Sequence, residues 1–537
     1  MGFAQNGDYL DVNNVRAFIN PNGILFQDSS GNAGFQVPKT TPYDSTTATH
    51  TIFSQATWLT ATDSATNSLF TSGSDPYNYL VDSLNSKDFS FGPIASDYTT
   101  TTYQNRYNRV WKVSQKMIAN HIVNVGSWGY IIPDAILSWP AHGTITNGEC
   151  RNLANYVDVD FDNIYNPFAG DYPSIRGDES ILLIFNDEAT NQQQTGGNAL
   201  KLEIYALVYG YDTGSDPIDN TVFVNYRVIN RSWNTYKDVY FGSHTDFDIG
   251  CFDNDFVGCD STNNFYYGYN GTASDGPACR PRGFGNSSNL PIQSCIFLNQ
   301  KMEHFVYYHN DWSLTGNPET NSDYDNYLKG IWKDGVPITY GGNGRGGLTP
   351  TNYMYSGDPG NFSASSWSEC NSNGGSPNTA ADRRGLGSTK INRLAPQESF
   401  CVDLAFMFDS AYALCSSISG YVGMVNQVQS FYASQSNTCL TEGCGNLLST
   451  SNINSTSLHF QCFPNPASDV VYINSSQKME SGELKIFDIS GKMVLQKEVS
   501  KLDGENIEID ISNLGAGTYL IQVSNDGRLG SQKLIVH

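Results

Sequence analysis

The strongest fold prediction comes from residues 200–229, which read LKLEIYALVYGYDTGSDPIDNTVFVNYRVI. It holds two runs rich in Val, Ile and Tyr, Leu200–Tyr209 and Thr221–Ile229, in which apolar and polar residues alternate. Such alternation is typical of β-strands, and the Gly, Asp and Pro residues between the runs predict a turn. A third run, Val239–His244, follows. The sequence therefore predicts an antiparallel meander that packs against a second sheet.

The composition extends this prediction to the whole chain of 537 residues. Charged residues make up only 15% of the chain, whereas Tyr and Phe number 32 and 28. Long solvent-exposed helices usually carry many Lys and Glu residues, so strands and turns are favoured. One helix is expected at Tyr107–Ile122, where apolar residues recur at helical spacing. We predict a mainly β protein with a multi-sheet β-sandwich body and few helices.

The charge balance argues against several classes of partner. With 30 Lys+Arg against 53 Asp+Glu, the net charge is -23, and no basic cluster is available to neutralise nucleic-acid phosphates. The longest purely aliphatic and aromatic run, Ile181–Phe185, is far shorter than the roughly 20 residues of a membrane span. We therefore predict neither nucleic-acid binding nor a membrane span.

The eleven cysteines indicate the compartment. Several lie close together in turn-rich sequence: Cys251 and Cys259, Cys279 and Cys295, Cys401 and Cys415, Cys439 and Cys444. Short spacings of this kind suit disulfides in an oxidising environment, although the connectivity stays open. The odd count leaves at least one thiol unpaired. We interpret the first residues, ending near Ala4, as the remnant of a trimmed export signal.

The C-terminal part differs from the rest of the chain. A polar, uncharged segment at 446–458 has the composition of a linker, and short alternating runs separated by glycines follow it. This pattern predicts a small immunoglobulin-like β-sandwich. The expected organisation is a β-rich segment at 1–100, a β-sandwich core with acidic loops at 101–270, a loop-rich, cysteine-containing β region at 271–445, the linker, and the C-terminal sandwich at 459–537.

This C-terminal region resembles the type A sorting domain of type IX secretion cargo. The matching residues are Phe463-Pro464-Asn465-Pro466-Ala467, Ile486–Lys492, Ile509–Leu514, Gly517–Leu520 and Lys533–Val536. The resemblance implies that the type IX secretion machinery is a partner. It also implies export to the surface of a Gram-negative cell or to the extracellular space.

A first acidic segment, Asp158-Val159-Asp160-Phe161-Asp162-Asn163-Ile164, predicts a calcium loop. Its carboxylates alternate as in an EF-hand loop, in which the seventh position, here Ile164, contributes a backbone carbonyl. Asn163 stands where that loop has glycine, and asparagine tolerates the left-handed conformation required there. The usual glutamate is missing, so we expect Asp171 to replace it, in a loop between strands.

A second acidic segment carries Asp246, Asp248, Asp253, Asp255 and Asp260, with no basic residue among them. Carboxylates at this density repel one another, so a bound cation is the expected resolution. Solvated Asp turns are the alternative for both segments. Calcium is the one cofactor that the sequence predicts.

The body also resembles a domain that recurs in type IX cargo. The resemblance covers about residues 8–270 and includes both acidic segments, with glycine usual at the position of Asn163. It implies that the acidic loops belong to the domain, and it supplies no catalytic residues.

No HExxH, GxSxG or GxxxxGK[ST] motif occurs in the chain, and the many acids neither identify nor exclude a glycosidase pair. The sequence therefore favours a non-enzymatic role. Our leading hypothesis is a secreted, calcium-stabilised structural or adhesive protein of the cell surface that self-associates into a filament or surface layer. The alternative is an exoprotein that binds or hydrolyses polysaccharide, because aromatic side chains on a β scaffold can stack on sugars.

Overall fold

The computed structural model describes residues 7–40, 48–74, 88–275, 279, 290–372, 374–435, 439, 444, 460–474, 482–488, 493–499, 506–525 and 528–537. The chain forms two compact units, Met1–Gly445 and Asn446–His537, here called the body and the tail. The predicted linker and the N-terminal remnant lie outside the described residues.

The described strands of the body are numbered in chain order. They are β1 (Asp8–Leu10), β2 (Arg16–Ile19), β3 (Phe35–Gln36), β4 (His50–Asp63), β5 (Leu69–Gly73), β6 (Ser90–Phe91), β7 (Trp111–Ser114), β8 (Tyr156–Val157), β9 (Tyr172–Pro173), β10 (Glu179–Asn186), β11 (Leu202–Gly210), β12 (Thr221–Asn230), β13 (Tyr236–Phe247), β14 (Asp255–Asp260), β15 (Phe265–Asn270), β16 (Leu290–Phe297), β17 (His304–Tyr308), β18 (Arg383–Leu394) and β19 (Ser399–Tyr412).

Two large antiparallel sheets make up the body. The eight-stranded sheet has the order β1-β2-β3-β4-β13-β18-β17, with β5 paired to β4. The nine-stranded sheet has the order β14-β15-β16-β19-β12-β11-β10-β6, with β7 paired to β10. Strands from all three expected body segments share these sheets. The prediction of a mainly β protein is confirmed.

The stretch 200–229 forms two neighbouring strands of the nine-stranded sheet, because β11 and β12 pair antiparallel with Tyr205 opposite Arg227. The third predicted strand was assigned to the wrong sheet. β13 pairs with β4 and β18 in the other sheet, so the chain crosses between the layers after Asn230 instead of continuing the meander. The same alternation of apolar and polar residues suits a strand in either layer.

The core lies between the two sheets. Tyr226 of β12 packs against Phe241 of β13 with ring centroids 5.3 Å apart, and Tyr226 donates a 3.0 Å hydrogen bond to Gln55 of β4. These side chains, like Trp58 and Val224, are fully buried. The body is therefore a β-sandwich of the type in which the inward faces of two sheets interdigitate.

Six α-helices are described in the body, and one of them, at 321–328, contributes Tyr324, Tyr327 and Leu328 to the main buried cluster. The six helices are α1 (Thr101–Tyr107), α2 (Gln115–Asn124), α3 (Asp134–Leu137), α4 (Asp216–Asp219), α5 (Asn321–Leu328) and α6 (Ser419–Ser434), with a 3₁₀ turn at Ile145–Asn147.

The helix predicted at Tyr107–Ile122 is only partly correct. Its first half is strand β7, which pairs with β10, and α2 begins after Ser114, whose hydroxyl accepts a 3.2 Å hydrogen bond from the N–H of Met117. The apolar residues of a short strand and of the following helix together produced a helical spacing. A serine N-cap marks the actual start of the helix.

Four disulfides are present, and the structure describes all eleven cysteines. The pairs are Cys150–Cys444, Cys251–Cys279, Cys370–Cys415 and Cys401–Cys439. None joins the sequence neighbours named above. Cys259 and Cys295 are buried free thiols whose side chains belong to the sandwich core, and Cys462 in the tail is also free.

The tail is a second, smaller sandwich. Its strands are β20 (Gln461–Phe463), β21 (Val470–Asn474), β22 (Gly482–Asp488), β23 (Met493–Val499), β24 (Ile507–Asp510), β25 (Gly517–Asn525) and β26 (Arg528–Val536). They form sheets in the orders β20-β21-β24 and β23-β22-β25-β26. Side chains from both sheets, such as Val471 and Ile521, share one buried cluster.

Candidate functional site

The first acidic segment forms the loop of a hairpin between β8 and β9. Asp158, Asp160 and Asp162 each present a carboxylate oxygen, and these three atoms lie within 4.8 Å of one another. Asp160 and Asp162 are exposed, and Asp158 is half-buried. The structure therefore brings together the three carboxylates that the sequence predicted as ligands, at a site open to solvent.

Hydrogen bonds to the backbone shape this loop. Asp158 accepts from the N–H groups of Asn163 (2.8 Å) and Asp162 (3.3 Å), and Asp162 accepts from the N–H of Ile164 (2.7 Å). Asn163 has a φ of +61°. The left-handed turn expected at this position is present.

Asp171 supports the loop and is not one of the gathered carboxylates. It is fully buried, and its two oxygens accept 2.8 Å hydrogen bonds from the N–H groups of Val159 and Asn166. In this structure the two oxygens of Asp171 fix the two ends of the loop, and its role as a ligand in place of the missing glutamate stays a prediction. Ile164, the remaining predicted ligand, is exposed in the same loop.

The electrostatics of the loop favour a cation. Desolvation raises the pKa of the exposed Asp160, and the nearby carboxylates of Asp162 and Asp171 raise it further. Calcium takes roughly six to eight oxygen ligands and accepts carboxylates, carbonyls and water in flexible geometry. Three convergent carboxylates in an exposed loop fit that donor set, with water and backbone oxygens completing it.

The second acidic segment is arranged differently from the prediction. In the described part of the chain, no three of its five carboxylates bring oxygens within 4.8 Å of one another. Asp246 lies opposite Arg384 in the pairing of β13 with β18, and its carboxylate is 3.6 Å from the guanidinium. The basic partner that this segment lacks in sequence is thus supplied by another strand.

Among the other four carboxylates of this segment, those of Asp248 and Asp255 lie close enough to interact electrostatically, and Asp248 also interacts with Asp246. Asp255 is fully buried and accepts from the N–H of Ile249 at 3.0 Å, and burial raises its pKa. Burial, followed by the neighbouring Asp246 and Asp382, also raises the pKa of Asp248. Asp253 is exposed, and Asp260 caps its own turn by accepting from Thr262 and Asn263. We therefore retain only the first segment as a candidate calcium site.

Sequence reasoning missed a cleft on the outer face of the nine-stranded sheet. Two adjoining cavities, of about 280 and 780 Å³, share the lining residues Leu153, Ala154, Asn155, Ser174 and Arg227. No sequence motif could have revealed this cleft, because its lining comes from separate strands and from the loops that lead into β8 and out of β9.

The cleft adjoins the acidic loop and carries several arginines. Arg176 and Arg227 line the smaller cavity. Arg151 lines the larger one together with Asp158 and Asn163. The candidate calcium loop therefore forms part of the rim of the larger cavity.

The tail was compared with known families. Residues 461–537 match the family model described as a secretion system C-terminal sorting domain. The chain is type IX secretion cargo. The predicted recognition of the tail is confirmed, and this cargo protein is secreted to the extracellular space or the cell surface.

Two solved structures are among those similar to the chain of this cargo protein. A polysaccharide lyase gives a TM-score of 0.20 at 8% identity, covering 71% of this chain and 38% of the lyase. The BSP domain of a biofilm-associated protein gives 0.15 at 10% identity, covering 99% of this chain and 80% of that one. Scores this low carry no argument about the fold or the activity. No curated protein sequence matches the chain.

Within the described ranges, no helix combines the length and the apolar character needed to cross a membrane.

Proposed function

We propose that this exported protein is a structural or adhesive component of the cell surface whose β8–β9 loop binds calcium. The observation that carries the proposal is the convergence of Asp158, Asp160 and Asp162 in a loop whose backbone is already fixed by Asp171 and Asn163. A preorganised loop needs little further ordering when it binds an ion. Extracellular calcium modules work at dissociation constants of about 0.1 to 1 mM, which suits an exported protein.

An exposed apolar surface supports the adhesive role. Phe161 and Phe168 of the acidic loop are 65% and 72% exposed, and Trp128 in the segment after α2 is fully exposed. The two segments lie side by side, because a Cβ on Gly170 would be 3.8 Å from Val159 and 3.9 Å from Val125. Clusters of exposed apolar side chains mark interaction sites on soluble proteins.

Thermal melting with and without a chelator tests the calcium part of the proposal. At a calcium concentration about tenfold above the dissociation constant, linkage stabilises the folded body by about 1.4 kcal/mol. In a body of this size the gain amounts to a rise in Tm of about 2 °C. An unchanged midpoint on addition of EDTA would remove calcium from the account.

Electron microscopy of the purified full-length chain tests the assembly part. We expect filaments or sheets in millimolar calcium and dispersed particles in EDTA. Dispersed particles under both conditions would contradict self-assembly and leave adhesion to another surface as the role.

A further inference from the structure

We propose that the cleft beside the acidic loop binds a carboxylate-bearing oligosaccharide, with Arg227 and Arg151 as the anion-binding groups. The inference does not require an ion in the loop, because both arginines belong to the sheet and to the segment before β8.

Arg227 lies on the outer face of the nine-stranded sheet, which forms the floor of the cleft. On β12 and β11, Arg227 is opposite Tyr205 and Asn225 is opposite Leu207, so these side chains share the outer face of the sheet. The inner face carries the core residues Ile204, Val224 and Tyr226 instead. Leu207 contacts both apolar clusters that cover the outer face, one around Trp139 and one around α6. The smaller cavity lies on this outer face, with Tyr205, Leu207, Asn225 and Arg227 among its lining residues.

The charges in the cleft contrast with those of the whole protein. The chain has a net charge of -23, yet three arginines line the two adjoining cavities, against one carboxylate, that of Asp158, among the described lining residues. Arg176 lies 3.6 Å from the buried carboxylate of Asp403, which offsets its charge. Arg151 is exposed and has no carboxylate within ion-pair distance in the described part of the chain. Arg227 lies over the ring of Tyr205 at 5.1 Å and reaches both cavities.

This arrangement suits a carboxylate. Guanidinium groups bind carboxylates with two parallel hydrogen bonds, and such charge-assisted bonds are stronger inside a cleft than in bulk water. His142 lies at the same cavity as Arg151 and Arg227, where its Nε2 accepts the N–H of Tyr165 at 3.2 Å and its Nδ1 is 3.3 Å from Oδ1 of Asn152.

The remaining lining favours a sugar over an acidic peptide. Asn152, Asn155, Ser174 and Asn225 offer amide and hydroxyl groups that match the hydroxyls of a saccharide. Tyr156 adds an aromatic ring at the larger cavity, where Leu153 and Ala154 are the aliphatic lining residues. The smaller cavity adds Trp139, Ile175 and Leu182, against which the apolar faces of sugar rings can pack.

Calorimetric titration of the full-length chain with tetragalacturonate tests the proposal. Maltotetraose and tetraglutamate serve as neutral and peptide probes of the same length. We expect binding of tetragalacturonate at low ionic strength, weaker binding at high salt, and little binding of the other two probes. No binding of tetragalacturonate would overturn the proposal. Equal affinity for maltotetraose would remove the role of the arginines, and equal affinity for tetraglutamate would indicate an acidic peptide as the ligand.

Variants locate the site. Arg227→Gln and Arg151→Gln should each weaken binding of tetragalacturonate by about tenfold or more. Arg393→Gln is the matched control, because Arg393 is an exposed arginine on β18 in the other sheet, and it should leave the affinity unchanged. Arg151 is exposed, so its substitution leaves the fold intact even if Arg227→Gln does not fold. Equal affinity in Arg151→Gln and in the control would overturn the assignment.

Discussion

Asn163 donates its backbone N–H to the carboxylate of Asp158 at 2.8 Å, and it does so from the left-handed region, with a φ of +61°. This one contact closes the turn that carries Asp160 and Asp162 to the same side of the loop as Asp158. Asparagine is among the few residues other than glycine that adopt this conformation at low cost. The local chemistry of residues 158–163 thus positions the three carboxylates before any ion binds.

The ion pair between Asp246 and Arg384 predicts a large effect of one substitution. Both side chains are almost completely buried, with 0% and 3% exposure. Arg384→Gln leaves buried carboxylates without their nearest positive charge, and we expect the free energy of unfolding to fall by about 3 to 5 kcal/mol. Urea denaturation measures this loss.

Arg393→Gln is the control for that experiment on the same strand. Arg393 pairs with Glu398 at the surface and is 60% exposed, so its loss should cost less than about 1 kcal/mol. If the two variants were equally stable, the role of Arg384 as the counter-charge of the second acidic segment would be wrong.

The disulfide pattern predicts a thiol count. Four disulfides leave Cys259, Cys295 and Cys462 as free thiols. Titration of the oxidised full-length protein with a thiol reagent in guanidinium chloride should find three thiols, and titration after reduction should find eleven. In native buffer the two core thiols should react slowly, because burial raises the pKa of both groups and protects them. A count of five or more before reduction would show that a disulfide is missing.

Two buried carboxylates predict a pH dependence of stability. Burial raises the pKa of Asp88 and of Asp187 to about 6. The folded state therefore binds more protons than the unfolded state between the ordinary value of 3.8 and about 6, so this contribution to stability grows as the pH falls through that window. Between pH 7 and pH 5, Asp88 alone should contribute a gain of about 1 kcal/mol.

Urea unfolding of the Asp88→Asn variant at pH 7 and at pH 5, with EDTA present, measures this contribution. The variant should gain about 1 kcal/mol less on acidification than the wild type. Asp212→Asn, in an exposed loop, should behave as the wild type does. The same pH dependence in all three proteins would show that Asp88 titrates normally.

The fold was predictable where a segment's own residues determine its structure. Strands β11 and β12 begin and end within about two residues of their predicted limits, because alternation and aromatic content identify a strand locally. The sheet to which β13 belongs was not predictable, since an identical pattern suits either layer. The same reason explains the error at Tyr107–Ile122, where β7 and α2 share one apolar spacing.

The features of the candidate site were likewise predictable only where their residues are neighbours in the sequence. The grouping of the carboxylates at Asp158–Asp162 could be inferred because these residues are neighbours in sequence. The pairing of Asp246 with Arg384 could not, because it depends on the register between β13 and β18. The cleft was also beyond prediction, since Arg151 and Arg227 come together only when the segment before β8 covers the sheet.

Calorimetric titration of the full-length protein with calcium tests whether the Asp158–Asp162 loop binds this ion. We predict saturable binding with a dissociation constant of about 0.1 to 1 mM. Binding should be lost in Asp160→Asn, which removes a gathered carboxylate, and retained in Asp212→Asn, which removes an equal charge from an exposed loop elsewhere. A wild-type protein that binds no calcium, or an Asp160→Asn variant that binds it as tightly as the wild type, would contradict the account.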